Sequence, residues 1–297
     1  MTGQFQTPQF SRNLLAMAFL DLKASRHLYE GGYYPQAVFY LEQSAEKGLK
    51  SYSIALGIID EKEAWSDISH RTLKIYEKTT KNFRQRIVNV QENLKKVPGL
   101  EVFFSQQVNF SEIVKQLDDT LDQIKMLSKQ DEKSLHLTQK DLNRYIKNIQ
   151  DLHRDVTHEN AKIQKTPITP SEFRKSKRYI LDMLEAILSN QPERLASAKE
   201  ELSQKFTFDT YEKLMRDTLS QFLPPLETFQ SFFQLSIILQ PHAVARYPKN
   251  DFNPLELYTP DLPLIKTFAK LADITERVLN QVNESYRKYE EVHHVSS

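Results

Sequence analysis

Apolar and small residues recur three and four positions apart along most of this chain, which commits it to helices packed on helices. Leu14, Ala18, Leu22, Ser25 and Tyr29 make the first such stripe. Ala37, Leu41, Ser44, Ala45, Gly48, Leu49 and Tyr52 make a second, whose small central residues would let another helix approach closely. Phe268, Leu271, Ala272, Thr275, Leu279 and Val282 make the last. Only 6 of 297 residues are glycine, and Leu, Lys, Glu and Gln recur throughout. These are helix formers, so the expected fold class is all-α.

Punctuation sets the expected elements. Gly31 and Gly32 close a first helix over about Phe10–Tyr29, and a second follows from Tyr34 to about Leu56. A third is expected from about Asp67 to Lys96, ended by Val97-Pro98-Gly99. Two narrow apolar stripes, one from Ile113 to Leu127 and one from Leu142 to Val156, predict an antiparallel hairpin that projects from the body. Past Thr166-Pro-Ile-Thr-Pro170, helices are expected over about 171–189, 192–205 and 208–222, with Pro224-Pro225 opening another that runs through Leu239. Five prolines between Pro241 and Pro263 exclude a regular helix there, and the final helix is expected over about Leu264–Tyr289.

The chain has no cysteine, which excludes disulfides, zinc thiolate sites and thiol nucleophiles. No His-Glu-x-x-His pattern or Gly-rich phosphate loop occurs, and His153 and His158 are not on one helical face, so neither a metal nor a cofactor is expected. The net charge of +1 argues against a uniformly basic coat, while leaving room for local patches. Two are visible, Arg84 to Lys96 and Arg174 to Arg178, interleaved with Phe83, Phe173 and Tyr179; a solvated helix face is the commoner origin of such runs. No apolar run approaches the ~20 residues that span a bilayer, and the first twelve residues lack an apolar signal core, so a cytoplasmic protein is expected.

Two separated segments carry a family resemblance. The first holds Ala24, Leu28, the Gly31-Gly-Tyr-Tyr34 turn, Ala37-Val-Phe39, the run Gln43-Ser-Ala-Glu-Lys-Gly-Leu-Lys50, and then His70 and Leu73. The second holds Ala245-Arg-Tyr-Pro248, a proline-broken loop and the last helix. Together they resemble a HEPN domain, of the archaeal and bacterial subgroup with an Ala-Arg-Tyr-Pro motif before its fourth helix. The resemblance implies a four-helix bundle closed by both ends of the chain. The corresponding division is 1–96 for the first three helices, 97–223 for a helical insertion, and 224–297 for the C-terminal helices.

The resemblance also implies partners and an activity. HEPN proteins form homodimers, pair with minimal nucleotidyltransferases in toxin–antitoxin or defence systems, and contact RNA or nucleotides. Glu46, Lys47, Lys50, Arg246 and Tyr247 are the binding residues it suggests here. For Glu46, Lys47 and Lys50 the competing view is a surface face with helical charge pairing. Many members resemble metal-independent endoribonucleases with Arg, four to six residues, then His. An imidazole there takes the proton of a ribose 2′-hydroxyl and a guanidinium neutralises the attacked phosphate.

In this chain the positions after Arg246 at that spacing are Asp251, Phe252 and Asn253. Arg154-Asp-Val-Thr-His158 is the candidate catalytic substitute, since its spacing places both side chains on one helical face. Arg287 with His293 and His294 meets the formal spacing close to the chain's end. The expected function is therefore binding of RNA, a nucleotide or a nucleotidyltransferase-type partner without the usual ribonuclease pair. The alternatives are a ribonuclease toxin using a relocated Arg–His pair and a purely structural interaction protein.

Overall fold

A computed structural model of the chain describes residues 9–68, 71–95, 110–128, 137–165, 169–244, 247–248 and 253–294. Its long helices are α1 (Gln9–Glu30), α2 (Tyr34–Ala55), α3 (Leu73–Lys95), α4 (Phe110–Ser128) and α5 (Gln139–Lys165). They continue as α6 (Pro170–Leu188), α7 (Pro192–Lys205), α8 (Phe208–Leu239) and α9 (Phe268–His294). No strand occurs among the described residues, so the fold is all-α as expected.

The chain forms two compact units. The first gathers 1–79, 122–154 and 224–297; the second gathers 80–121 and 155–223. In the first unit the Gly31–Tyr33 turn, with Gly32 at φ 79°, reverses α1 onto α2. Their antiparallel register is visible in the Asp21–Lys47 ion pair and the Ser51 hydroxyl donating to the Ser11 carbonyl at 2.6 Å. Helix α9 lies along both: Phe268 stacks on Tyr29 near the end of α1, and the Tyr286 hydroxyl donates to the Ser51 carbonyl at 2.9 Å.

Gly48 shows why α2 carries small residues. A Cβ there would collide with Leu279 of α9 and lie 3.0 Å from Phe232 of α8. The close approach that these small residues allow is thus made by α9, and α8 shares it. Tyr76 of α3 packs on Phe229 and Phe233, bringing α3 onto the same face of α8.

Four expectations need correcting. The third helix does not start at Asp67. An Asp60–Glu63 capping box opens a separate turn, Glu61–Glu63, followed by a π-turn over Ala64–Ile68. Helix α3 begins at Leu73, where Gln240 of the distant 3-10 turn accepts from the Leu73 N–H at 3.1 Å and the Thr72 hydroxyl at 2.9 Å. The hairpin does not project: Ile124, Leu142, Ile146 and Ile149 belong to the hydrophobic core of the first unit. Pro224-Pro225 does not start a helix but lies inside α8, at the junction of the two units. The last helix begins at Phe268, because Pro263–Lys266 forms a separate turn ended at Thr267.

The second unit has a core of its own, in which Phe173, Phe206, Phe208 and Tyr211 cluster with ring centroids 5.6–5.8 Å from Phe173. Arg84 grips Asp118 side-on, Nε to Oδ1 at 2.6 Å and Nη2 to Oδ2 at 3.2 Å. Phe173 and Arg84, both within the basic patches of the sequence, are therefore engaged in this unit's packing. No described helix is long and apolar enough to cross a membrane.

Candidate functional site

The Gln43–Lys50 run is a buried network. Glu42, Glu46 and Lys50 keep 2%, 5% and 4% of their surface, so these side chains are not the solvated face that the sequence allowed. Lys50 donates to Glu46 at 2.7 Å, one turn along α2, and Lys47 reaches across to Asp21 of α1. The Gln43 amide bridges the acids, donating to Glu42 at 2.8 Å and to Glu46 at 3.3 Å. Burial pushes the Glu42 carboxyl well above the ordinary carboxylate range; the Glu46 charge adds to this, against the Gln43 hydrogen bond and the lysine charges.

Buried ions persist only when paired and hydrogen-bonded. Here α2 supplies both charges of one pair, and α1 supplies the partner of the third. A small concavity of about 100 Å³ under Trp65, whose ring lies 5.8 Å from the Lys50 ammonium, borders the network.

The other candidates scatter. Arg154 and His158 are both exposed on α5, and Arg154 pairs with Asp151 at 3.1 Å. Arg246 and His70 lie outside the described residues, as do Asp251 and Phe252, while Tyr247 is exposed. His242 is buried and bonded to the Tyr258 hydroxyl at 2.7 Å, and burial raises that phenol's pKa. No metal-ligand cluster occurs among the described residues.

One cleft brings together groups the sequence did not connect. Between α1 and α9 lies a depression of about 460 Å³ lined by Arg12, Leu15, Ala16, Phe19, Asn283, Tyr286 and Arg287. The Arg12 guanidinium sits 5.9 Å over the Tyr286 ring, and Tyr286 is anchored beneath it by its hydrogen bond to Ser51. Arg287 reaches the cleft from α9, with Glu284 as its ion partner at 2.8 Å. An apolar floor with two guanidiniums is an arrangement suited to a ligand that has a flat apolar part and an anionic part.

Helix α9 continues unbroken through His293 and His294, so the Arg287–His spacing noted in the sequence falls on one helix. The signal for Arg287 was therefore in the sequence. Arg12 had none, since its place depends on α9 returning alongside α1.

Comparison with known families matches residues 11–162 to the HEPN domain. No curated protein and no solved structure matches the chain. The matched stretch runs from α1 through nearly all of α5 and stops short of the Ala245-Arg-Tyr-Pro248 segment and α9. It covers just over half of the 297 residues and includes the whole Gln43–Lys50 network, and on that ground the chain belongs to the HEPN domain family.

Proposed function

We propose that this HEPN protein binds RNA or a nucleotide through the arginine cleft between α1 and α9, without strong ribonuclease activity of its own. The convergence of Arg12 and Arg287 on a cleft floored by Leu15, Phe19 and Tyr286 carries the reading. Phosphate needs cationic, forked donors and a base needs a flat apolar contact. The sequence after Arg246 supports the second half, because Asp251 is too acidic a group to serve as the base that imidazole provides near neutral pH. The Glu46–Lys50 and Lys47–Asp21 pairs act in this reading as the scaffold that fixes α1 and α2. A minimal nucleotidyltransferase partner, in a toxin–antitoxin or defence setting, is what the family resemblance adds.

The test is fluorescence anisotropy of labelled single-stranded and structured RNA with the protein in chelator, run beside a cleavage assay. Arg12→Ala and Arg287→Ala should each weaken binding about tenfold, the loss of one charge-assisted contact of about 1.4 kcal/mol. No cleavage is expected from any version. Binding unchanged in both variants would remove the cleft from consideration. Robust cleavage lost in His158→Ala would instead establish a relocated Arg154–His158 pair as a ribonuclease site.

A further inference from the structure

A second groove opens beside the N-terminal turn of α1. Phe10 and Arg12 stand two positions apart on that helix and so face different sides of it. On the Phe10 side the groove, of about 500 Å³, follows the end of α2, where Ile54, Ile58 and Ile59 line it. Ile54 and Ile59 are buried, and Phe10 and Ile58 are half-buried. Two large apolar side chains extend this surface outward. Leu56, between the lining residues Ala55 and Gly57, is 38% exposed. Trp65 is 62% exposed, and its ring meets Phe10 edge to face with centroids 6.1 Å apart.

The charge here is opposite to that of the arginine cleft. The groove is lined by Asp60, Glu61 and Glu63 against one cation, Lys78. Lys78 pairs with Glu63, and its hydrogen bond, with that of the Asp60 N–H, keeps the Glu63 carboxyl below the ordinary range. Asp60 accepts from the Glu63 N–H at 2.8 Å as a cap, a contact that leaves its charge uncompensated. Glu61 is exposed and has no ion partner among the described residues. Lys62 does not line the groove.

An apolar floor gains by shedding water, and uncompensated carboxylates at its rim attract cations and repel phosphate. Nucleic acid is therefore the wrong occupant for this side of α1. A small cation would satisfy the acids but leave Leu56 and Trp65 in water. A polypeptide segment that carries both apolar and basic side chains covers both, and an exposed tryptophan is a frequent anchor of such contacts.

We propose that this groove docks a basic, apolar segment of a partner protein. An aliphatic side chain of that segment lies between Phe10, Ile54 and Ile58, and a lysine or arginine beside it meets Asp60 and Glu61. The site goes beyond the RNA-binding reading and does not depend on it.

Trp65 is the only tryptophan of the chain, so its fluorescence reports on the edge of the groove alone. The probe is an acetylated, amidated hexapeptide with two leucines flanked on each side by two lysines, titrated into the full chain at low salt. It should shift Trp65 emission saturably. Replacing its leucines with alanine should weaken the response, and replacing its lysines with glutamate should abolish it. Glu61→Lys should weaken the lysine–leucine peptide about tenfold, with Glu61→Gln in between. Glu30→Lys makes the same charge change at the other end of α1, about 30 Å from Phe10, and should alter affinity less than about twofold. No emission change, or equal losses in Glu61→Lys and Glu30→Lys, would overturn the site. Spermidine binding as tightly as the hexapeptide would reduce it to a polyamine contact and overturn the docking of a polypeptide. Emission that follows the protein's own concentration in wild type but not in Glu61→Lys would give the groove to a second copy and overturn a separate partner. RNA anisotropy should be unchanged or slightly stronger in Glu61→Lys, so this reading and that of the arginine cleft fail separately.

Discussion

At Gly48 three helices come within a methyl group of one another. The Cβ of any other residue would strike Leu279, and the edge of Phe232 stands 3.0 Å away. Alanine ordinarily favours a helix over glycine by about 1 kcal/mol, so the site sets propensity against space. Space should win: Gly48→Ala is expected to cost about 1–3 kcal/mol in urea unfolding, and Gly48→Leu more, because α2 cannot move away from two helices at once. A neutral Gly48→Leu would mean that α2, α8 and α9 do not meet at this residue.

Six residues earlier on the same helix, Glu42 makes a prediction in pH. A carboxyl with a higher pKa folded than unfolded holds its proton more firmly in the native state. Its contribution is complete below the ordinary carboxylate pKa of about 4.3 and is lost as pH rises toward the native-state value. Glu42→Gln keeps an acceptor oxygen for the Gln43 amide and removes the titration. Its melting temperature should therefore decline less than the wild type's between about pH 4 and pH 8. An equal or steeper decline would show that Glu42 ionises in the fold without cost.

Among the elements, the helices that sit on their own apolar stripes were legible in sequence, and their ends were legible where glycine or a local cap marks them. Gly31-Gly32 closed α1 as read, and α2 ends one residue from its expected end. The start of α3 was not legible, because its cap comes from Gln240, more than 160 residues away. The continuity of α8 was hidden for a related reason. Two prolines remove the N–H groups that would bond the Ser220 and Gln221 carbonyls, which locally argues for a break. The candidate site divides the same way: the charges of α2 were singled out by the family resemblance, but their burial depends on Asp21 and Trp65 arriving from other elements. Gln240→Ala tests the long-range cap. It should cost about 1–2 kcal/mol by stranding the Leu73 N–H and the Thr72 hydroxyl. Native-state hydrogen exchange should quicken in the first turn of α3 before it does in α2. Uniform acceleration across both helices would show that Gln240 supports the whole unit rather than one helix end.

For the whole molecule, family membership raises the question of a second copy. The described surface of the first unit exposes several large apolar side chains, among them Met17 at 46%, Leu20 at 60% and Tyr247 at 61%. Single exposed apolar residues are ordinary; Met17 and Leu20 are one helical turn apart on α1, and aromatic residues such as Tyr247 are enriched at interfaces. By resemblance to HEPN dimers, the pairing face is expected near the third and fourth helices of the bundle, and Tyr247 is the described residue that tests it. A homodimer is the expected outcome of light scattering at micromolar concentration, with a mass near twice 34.8 kDa. Tyr247→Ala should shift the equilibrium toward monomer by about tenfold, as loss of a buried aromatic anchor does, and Leu20→Glu should leave it unchanged if α1 stands outside the interface. Dissociation by Leu20→Glu and not by Tyr247→Ala would move the interface to α1, next to the arginine cleft. RNA binding would then depend on the oligomer, because Ala16 and Phe19 line that cleft from the same helix. A strict monomer at every concentration would end the dimer reading and leave the cleft to act within a single chain.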